Sequence, residues 1–306
     1  MQNTIRSDRQ IIGTGLHSGM PVRLRLRPAA AHSGLQFHRI DYPKRQQVIK
    51  VSPENWVEAN LCTVLENRHG VRVSTVEHLL AALHGCGIHN AIIEIDGPEV
   101  PILDGSSDPF VRLILDAGIK QLHAPLQVLR VLRPVSVENN GASARLLPSD
   151  QLEIDFQIDF ADPAIGYQRK HLNMHNGTFL RELSNCRTFC MRKDVETMQS
   201  HGLALGGSLE NAVVFHEGEI LSPGGLRRPD EPVRHKILDA MGDLYVAGYP
   251  IIGRYEGVRA GHALTGRVLQ ALFADAANYE FVTCDSTVCA TLPGLGLPAH
   301  ELRLTA

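Results

Sequence analysis

The sequence has 306 residues, of which 43% are hydrophobic and 21% are charged, and its formal net charge is -3. This length allows two domains of about 150 residues each. The weakly acidic balance argues against a general binder of nucleic acids or membrane surfaces, because such proteins carry a basic excess. We find no secretory signal and no uncharged apolar run of about 18 residues, so we expect a cytoplasmic protein without stable membrane insertion.

Strand-like segments, turns and helices follow one another in the first third of the chain. Apolar and charged residues alternate strictly at 22–27, which predicts a half-buried strand. Residues 91–95 predict a second strand, which an Asp-Gly-Pro turn ends. Helices are predicted at 75–84, where the apolar residues share one face, and at 109–117.

The strand pattern begins again after a plausible domain boundary near 121–127. We therefore divide the chain into an N-terminal domain at 1–123 and a C-terminal domain at 126–306. Each domain places strands before helices, which favours an α+β fold over strict βαβ alternation. The glycine-containing segment 189–217 is interpreted as an insertion in the second domain. The other predicted elements are strands at 127–132 and 152–160 and helices at 231–247 and 262–274.

The six cysteines are too sparse for a disulfide framework, so we expect reduced thiols. Cys186 and Cys190, like Cys284 and Cys289, could be read as metal clips. Neither pair has the usual C-x2-C spacing, so both are weak candidates for a metal site.

His235 and Asp239 are four residues apart on a predicted helix, where both side chains can face one ion. An imidazole paired with a carboxylate suits zinc, although an isolated pair of this kind is more often a surface hydrogen bond. Asp243 continues the same face among apolar neighbours. A polar row on a packed helix needs partners or a ligand, which favours the metal interpretation.

Glu77 and His78 adjoin each other near the start of the first helix, where one could handle protons and the other bind a metal. The alternative is that Glu77 closes a capping box with Ser74 and His78 is structural. His262 opens the last helix, and Asp243 is its candidate orienting partner. The alternative there is a histidine without a role.

Several distinctive strings occur in order along the chain: GLHSG at 15–19, STVEHLLAAL at 74–83, DGPEVPILDGS at 96–106, RTF at 187–189, GGSLEN at 206–211, VRHKILDAMGD at 233–243 and GHAL at 261–264. Together they resemble the zinc-dependent UDP-3-O-acyl-N-acetylglucosamine deacetylases, hydrolases of lipid A (lipopolysaccharide) biosynthesis. The resemblance implies two similar α+β domains, each a β-sheet covered by two helices, with the active site between them. It also implies a small-molecule substrate, an acylated UDP-amino sugar. We expect a monomer, although the sequence does not reveal the oligomeric state.

The resemblance further implies that one catalytic zinc ion is held by His78, His235 and Asp239. Glu77 would take the proton of the attacking water. Thr188 would help zinc to stabilise the oxyanion, although a lone threonine is usually structural. Protonation of the leaving amine would fall to His262, oriented by Asp243. The substrate-binding residues implied by the resemblance are Phe189, Asp194, Lys236, Arg259 and Gly261.

In this interpretation the insertion at 189–217 forms the passage for the 3-O-acyl chain. The chain departs from the family pattern at 190–193, where Cys-Met-Arg-Lys stands in place of a more usual Gly-Phe start, so acyl-chain preference is open. Two rival functions are a catalytically silent UDP-sugar binder and a zinc amidase with another substrate. The retained metal and proton-transfer residues argue against the first, and the substrate-binding set argues against the second. The predicted apolar lining of the passage is Val195, Met198, Leu203 and Leu205.

Overall fold

A computed structural model describes residues 1–59, 61–294 and 296 of the chain. Short strands and two helices make up its N-terminal half. These elements are β1 Asn3–Ile5, β2 Arg9–Thr14, β3 Pro21–Pro28, β4 Leu35–Arg39, β5 Val48–Lys50, β6 Trp56–Val57, β7 Val64–Glu66, β8 Arg72–Ser74, α1 Glu77–Gly85, β9 Ala91–Ile95, α2 Asp108–Ala117 and β10 Ile119–Gln121.

The main sheet of this half has the order β2-β3-β9-β4-β5. Along β3, buried Val22, Leu24 and Leu26 alternate with exposed residues, as the alternating sequence predicts. β9 pairs antiparallel with β3 and parallel with β4. Helices α1 and α2 pack against each other, and α2 also contacts β2. Every residue of α1 is buried, so this helix occupies the interior of the molecule.

The C-terminal half repeats the plan of strands and covering helices. Its elements are β11 Gln127–Val131, β12 Val135–Asn139, β13 Ala142–Leu147, β14 Leu152–Asp159, β15 Tyr167–Asn173, α3 Thr178–Glu182, β16 Phe189–Met191, α4 Arg192–Ser200, β17 Val213–His216, β18 Glu219–Ile220, α5 Glu231–Leu244, β19 Ile251–Val258, α6 His262–Phe273, β20 Tyr279–Thr283 and α7 Ser286–Ala290.

Strand β19 is the centre of the second large sheet, where it pairs with β13, β14 and β11. α5 contacts β14 and β15, α6 contacts β12 and β13, and the two helices contact each other. The short strands β16, β17 and β18 form a small separate sheet that carries α4 beside it. The α+β prediction is therefore confirmed, with helices laid on sheets in both halves.

The two halves meet where α1 packs on α5. Gly242 makes this approach possible, because a Cβ atom at its position would lie 2.0 Å from the carbonyl oxygen of Glu77. The hydrophobic core is continuous across the contact, and both Leu79 and Leu238 belong to it. Polar residues on these two helices are consequently brought together in a water-poor interior.

The predicted capping box is wrong. Thr75 has a φ of 55° and α1 begins only at Glu77, after Val76 at the N-cap. The Ser74 hydroxyl instead contacts the carbonyl oxygen of Pro98 at 3.3 Å. The Glu77 carboxylate is therefore free to take part in the interior site.

The expectation of reduced thiols is wrong for one pair. Cys284 and Cys289 are bonded to each other, with Cα atoms 5.6 Å apart, a separation usual for disulfides. The pair forms because α7 begins directly after β20 and brings the two residues close. Among the residues that the structure describes, no helix has the length and apolar character to cross a membrane. The free cysteines are Cys62, Cys86, Cys186 and Cys190.

Candidate active site

The first turn of α1 and the middle of α5 supply four polar side chains to the contact between the halves. Glu77 and His78 come from α1, and His235 and Asp239 from α5, one turn apart. Each is at most 4% exposed. Such groups are costly to bury alone, so they must satisfy one another or hold a ligand.

Three ligand atoms converge at Asp239. Its Oδ1 lies 3.4 Å from Nε2 of His78 and 3.2 Å from Nε2 of His235. Nδ1 of His235 lies 3.0 Å from the carbonyl oxygen of Cys186. That acceptor places the ring proton on Nδ1 and leaves Nε2 with a free electron pair.

The residues present fit a divalent metal ion. Oδ1 of Asp239 is buried and has no hydrogen-bond partner, which costs about 1–3 kcal/mol for an isolated polar atom. A cation among the three ligand atoms would remove that cost. Two imidazoles with one carboxylate form a known donor set for catalytic zinc, which leaves a further position for water or substrate.

The protonation states also suit metal binding. Burial by itself would raise the pKa of Asp239, but the neighbouring His235 and Lys236 hold it well below the ordinary value. Nζ of Lys236 donates a hydrogen bond to Oδ2 of Asp239 at 2.8 Å. Burial lowers the pKa of His78. An ionised carboxylate and a neutral imidazole are the forms that bind a metal.

A second polar group lies beside the first and consists of Glu77, Asp243 and His262. Gly261, in extended conformation, is the N-cap of α6 and places His262 at the first position of that helix. Nδ1 of His262 lies 3.0 Å from Oδ2 of Asp243. Nε2 of the same ring lies 3.8 Å from Oε1 of Glu77. One imidazole therefore stands between two carboxylates.

The pKa values of two members of this second group are raised. Burial raises the pKa of Glu77 to about 8, and the nearby Asp243 and Asp239 act in the same direction against the charge of His262. Burial lowers the pKa of His262, but Asp243 and Glu77 outweigh it and raise the value to about 9. Groups with pKa values near neutrality are the ones that accept and donate protons efficiently.

A cavity of about 880 Å³ opens from these two groups along the insertion. Thr188 stands on its wall, held by its backbone, since its N–H donates to the carbonyl oxygen of Gly105 and its carbonyl accepts from Val213. Gly105 has a φ of 84°, and a Cβ there would meet the carbonyl oxygen of Asn211 at 2.1 Å. The sequence-predicted residues that line the cavity are Thr188, Phe189, Asp194, Val195, Met198, His235, Lys236, Asp239, Gly261 and His262.

Three other residues named from the sequence lie elsewhere. Leu203 and Leu205 are 36% and 55% exposed and do not line the cavity, so that part of the passage prediction is wrong. The backbone N–H of Leu205 contacts the carbonyl oxygen of His17, while its side chain is exposed. Arg259 also lies off the cavity wall, and its guanidinium donates to the carbonyl oxygen of Gly141.

The structure adds wall residues that sequence reasoning missed. Leu16, His17 and Leu61 come from the N-terminal half, and Phe160 makes an edge contact with Phe189 at a centroid distance of 5.4 Å. His17 had a signal in the GLHSG string. Phe160 had only its place at the end of a predicted strand, which says nothing about a cavity.

Glu99 was likewise missed. Its buried carboxylate accepts hydrogen bonds from the backbone N–H groups of His17 and Ser18 at 2.9 and 2.8 Å and from the Thr75 hydroxyl at 2.9 Å. It thus fixes the 15–19 loop against the residues that precede α1. The sequence placed Glu99 beside a turn and gave no sign of these distant donors.

A buried His-His-Asp group next to a Glu-His-Asp group, on an α+β scaffold and facing a cavity, defines the class of metal-dependent hydrolases. The family model described as UDP-3-O-acyl N-acetylglycosamine deacetylase (LpxC) matches residues 2–274. The chain belongs to this family.

Curated relatives agree with the family assignment. A UDP-3-O-acyl-N-acetylglucosamine deacetylase of Idiomarina loihiensis is 48% identical, over 93% of this chain and 93% of its own length. The protein of the same name from Phenylobacterium zucineum is 47% identical, over 89% of this chain and 93% of its own. That of Pasteurella multocida is 45% identical, over 93% of each chain.

Proposed function

We propose that this chain hydrolyses the N-acetyl group of UDP-3-O-acyl-N-acetylglucosamine, giving UDP-3-O-acyl-glucosamine and acetate, in lipid A biosynthesis. The deacetylase activity for which its relatives are named supports the substrate. The observation that carries the chemistry is the unpartnered Oδ1 of Asp239, which two imidazole nitrogens face beside the Glu77 and His262 pair.

The proposed cofactor is one zinc ion held by His78, His235 and Asp239. When bound, zinc supplies Lewis-acid polarisation of a carbonyl oxygen and lowers the pKa of water. The chain's own contribution is the donor set, with His235 oriented by the carbonyl oxygen of Cys186 and Asp239 by Lys236. These partners fix the rings and the carboxylate before a ligand arrives.

Proton transfer is assigned to the second group. Glu77 accepts the proton of the attacking water, since its raised pKa makes its ionised carboxylate a stronger base than an ordinary glutamate. His262, with a pKa of about 9, carries a proton at pH 7 and donates it to the leaving amine. Asp243 orients this ring through Nδ1 and stabilises its charge. The hydroxyl of Thr188, on the cavity wall, stabilises the oxyanion.

Substrate binding is assigned to the cavity. Phe189 packs against the sugar or nucleotide, and the 189–217 segment encloses the 3-O-acyl chain with Val195 and Met198. For Arg259, the exposed guanidinium near Gly141 would have to turn toward the diphosphate. The remaining proposed contacts are Asp194, Lys236 and Gly261. We also propose a cytoplasmic monomer, with domains at 1–123 and 126–306.

Metal reconstitution tests the cofactor. Protein stripped with a chelator should release no acetate from UDP-3-O-acyl-N-acetylglucosamine, and one equivalent of zinc should restore release. Magnesium, which prefers oxygen ligands, should not restore it. Full turnover by demonstrably metal-free protein would refute the zinc assignment. The substrate assignment would be refuted if the zinc-loaded protein released acetate from an unrelated N-acetyl amide but not from UDP-3-O-acyl-N-acetylglucosamine.

A further inference from the structure

Thr63 contacts both carboxylates of the proton-transfer group from a single buried position. It immediately precedes β7 and is 1% exposed. Its backbone N–H donates to Oε2 of Glu77 at 3.0 Å, and its hydroxyl donates to Oδ1 of Asp243 at 2.5 Å. Its carbonyl oxygen accepts from the N–H of Val76, directly before α1, at 3.4 Å.

Both carboxylates contact Thr63 and His262. In Glu77 one oxygen is bound by Thr63 and the other is directed at His262, whereas in Asp243 the oxygen bound by Thr63 also lies 3.2 Å from Nδ1 of the ring. Oδ2 of Asp243 lies 3.0 Å from Nδ1 of the ring, and Oε1 of Glu77 lies 3.8 Å from Nε2. Because a carboxylate rotates about one bond, fixing one oxygen also fixes the direction of the other.

We propose that Thr63 is a positioning residue that couples the base to the acid across the junction of the two halves. Glu77 comes from α1 in the N-terminal half, whereas Asp243 and His262 come from α5 and α6 in the C-terminal half. This inference rests on the roles of Glu77 and His262 in the proposed function.

The side-chain hydroxyl of Thr63 can be removed by mutation without removing its backbone N–H. An ionised carboxylate can only accept hydrogen bonds, so Asp243 needs donors on both oxygens. Removal of the Thr63 hydroxyl leaves Oδ1 of Asp243 with only the longer contact to Nδ1 of His262, so the carboxylate can change its angle to that ring. The backbone N–H bond to Glu77 survives any side-chain substitution. A hydroxyl deletion therefore disturbs the acid more than the base.

The decisive variant is Thr63→Val, which removes the hydroxyl and retains a branched side chain. Loss of an outer partner of this kind lowers activity by about 10- to 100-fold. We expect that loss in kcat for acetate release, with KM and bound zinc unchanged. Thr63→Ser, which restores the hydroxyl, should return kcat to within about threefold of the unmodified chain. A purely structural role would lower the stability of the fold without lowering kcat selectively at unchanged KM and zinc content.

The matched control is Thr4→Val. Thr4 is also 1% exposed and its hydroxyl accepts one hydrogen bond, from Ala29 at 3.0 Å, far along the chain from the site. Its kcat should stay unchanged. In an Asp243→Ala background, Thr63→Val should cost less than about threefold, because Asp243→Ala already removes the oxygen that accepts from the Thr63 hydroxyl.

Three results would overturn the proposal: kcat of Thr63→Val equal to that of Thr4→Val, no rescue by serine, or additive losses with Asp243→Ala. If Thr63→Val does not fold, Thr63→Cys keeps the size with a weaker donor, and unchanged kcat in that folded variant overturns it too. His262→Ala is assayed in parallel. Normal turnover in His262→Ala refutes the proposed acid itself, whereas lost turnover there with normal Thr63→Val refutes only the role of Thr63.

Discussion

The cavity has a floor of buried polar side chains and a wall formed by α4, and these two regions differ in how strongly they are buried. On the floor, Glu77, His235 and Asp239 are at most 4% exposed and lie on helices packed across the centre of the molecule. On the wall, α4 has no buried residue. Buried polar groups fix one another's positions, so the floor tolerates little change. The wall offers half-exposed apolar groups, which can vary, and this is where we propose that the acyl chain is selected.

The largest effect should come from the floor. His262→Ala removes the proposed proton donor for the leaving amine, and loss of a general acid typically lowers kcat by about 10²–10⁴-fold. Zinc content should remain normal, because His262 is outside the ligand set. The measurement is acetate release alongside metal analysis, with exposed His69→Ala as the control. Equal kcat in the two variants would contradict the acid role.

A smaller and selective effect should come from the wall. Met198→Ala removes apolar contact equivalent to about two methylene groups, or roughly 1.5 kcal/mol, which is about a tenfold loss in kcat/KM for the acylated substrate. A substrate without the acyl chain should be unaffected. Ser200→Ala on the same helix is the control. An equal loss with both substrates would show that Met198 does not contact the acyl chain.

Between floor and wall, Glu99 holds the loop that contributes His17. Glu99→Gln turns one acceptor oxygen into a donor facing N–H groups, and a buried unsatisfied group costs about 1–3 kcal/mol. We expect a lower urea midpoint with modest change in kcat. Exposed Glu138→Gln should leave the midpoint unchanged. A Glu99→Gln protein as stable as this control would remove the anchoring role.

The last effect concerns how the stability of the folded chain depends on pH. Burial lowers the pKa of His84, on α1, to about 3 from an ordinary 6.5. Below about pH 6.5 the unfolded chain takes up a proton that the folded chain does not, so stability falls as pH falls toward 3. His84→Phe can keep the stacking on Tyr245 and should flatten the decline in melting temperature between pH 6.5 and 4.5. His69→Phe should leave that decline unchanged. If His84→Phe also leaves the dependence of melting temperature on pH unchanged, His84 does not contribute to it.

The sequence was most informative where a pattern has one physical meaning. The alternation in β3, the helices near α1, α2, α5 and α6, and the face shared by His235 and Asp239 were all predicted and confirmed as structural elements. The start of α1 was not, because the positive φ of Thr75 depends on contacts with Glu99 rather than on local propensity.

Long-range partners were beyond sequence reasoning. Thr63 is 180 residues from Asp243, and Glu99 is 82 residues from His17, so no periodicity connects them. The orientation of Leu205 depends on a backbone bond to a loop of the other half. The residue types of the site could be named from the sequence and the family resemblance. Which oxygen faces which nitrogen required the structure.

The central claim is a division of labour between two adjacent groups, one that holds the metal and one that moves protons. The most direct test measures zinc content and acetate release together for Asp239→Ala and Glu77→Ala, with exposed Asp116→Ala as the control. We predict that Asp239→Ala loses both zinc and turnover. Glu77→Ala should keep zinc and lose about 10²–10⁴-fold in turnover. Full zinc occupancy in Asp239→Ala, or near-normal turnover in Glu77→Ala, would contradict the account.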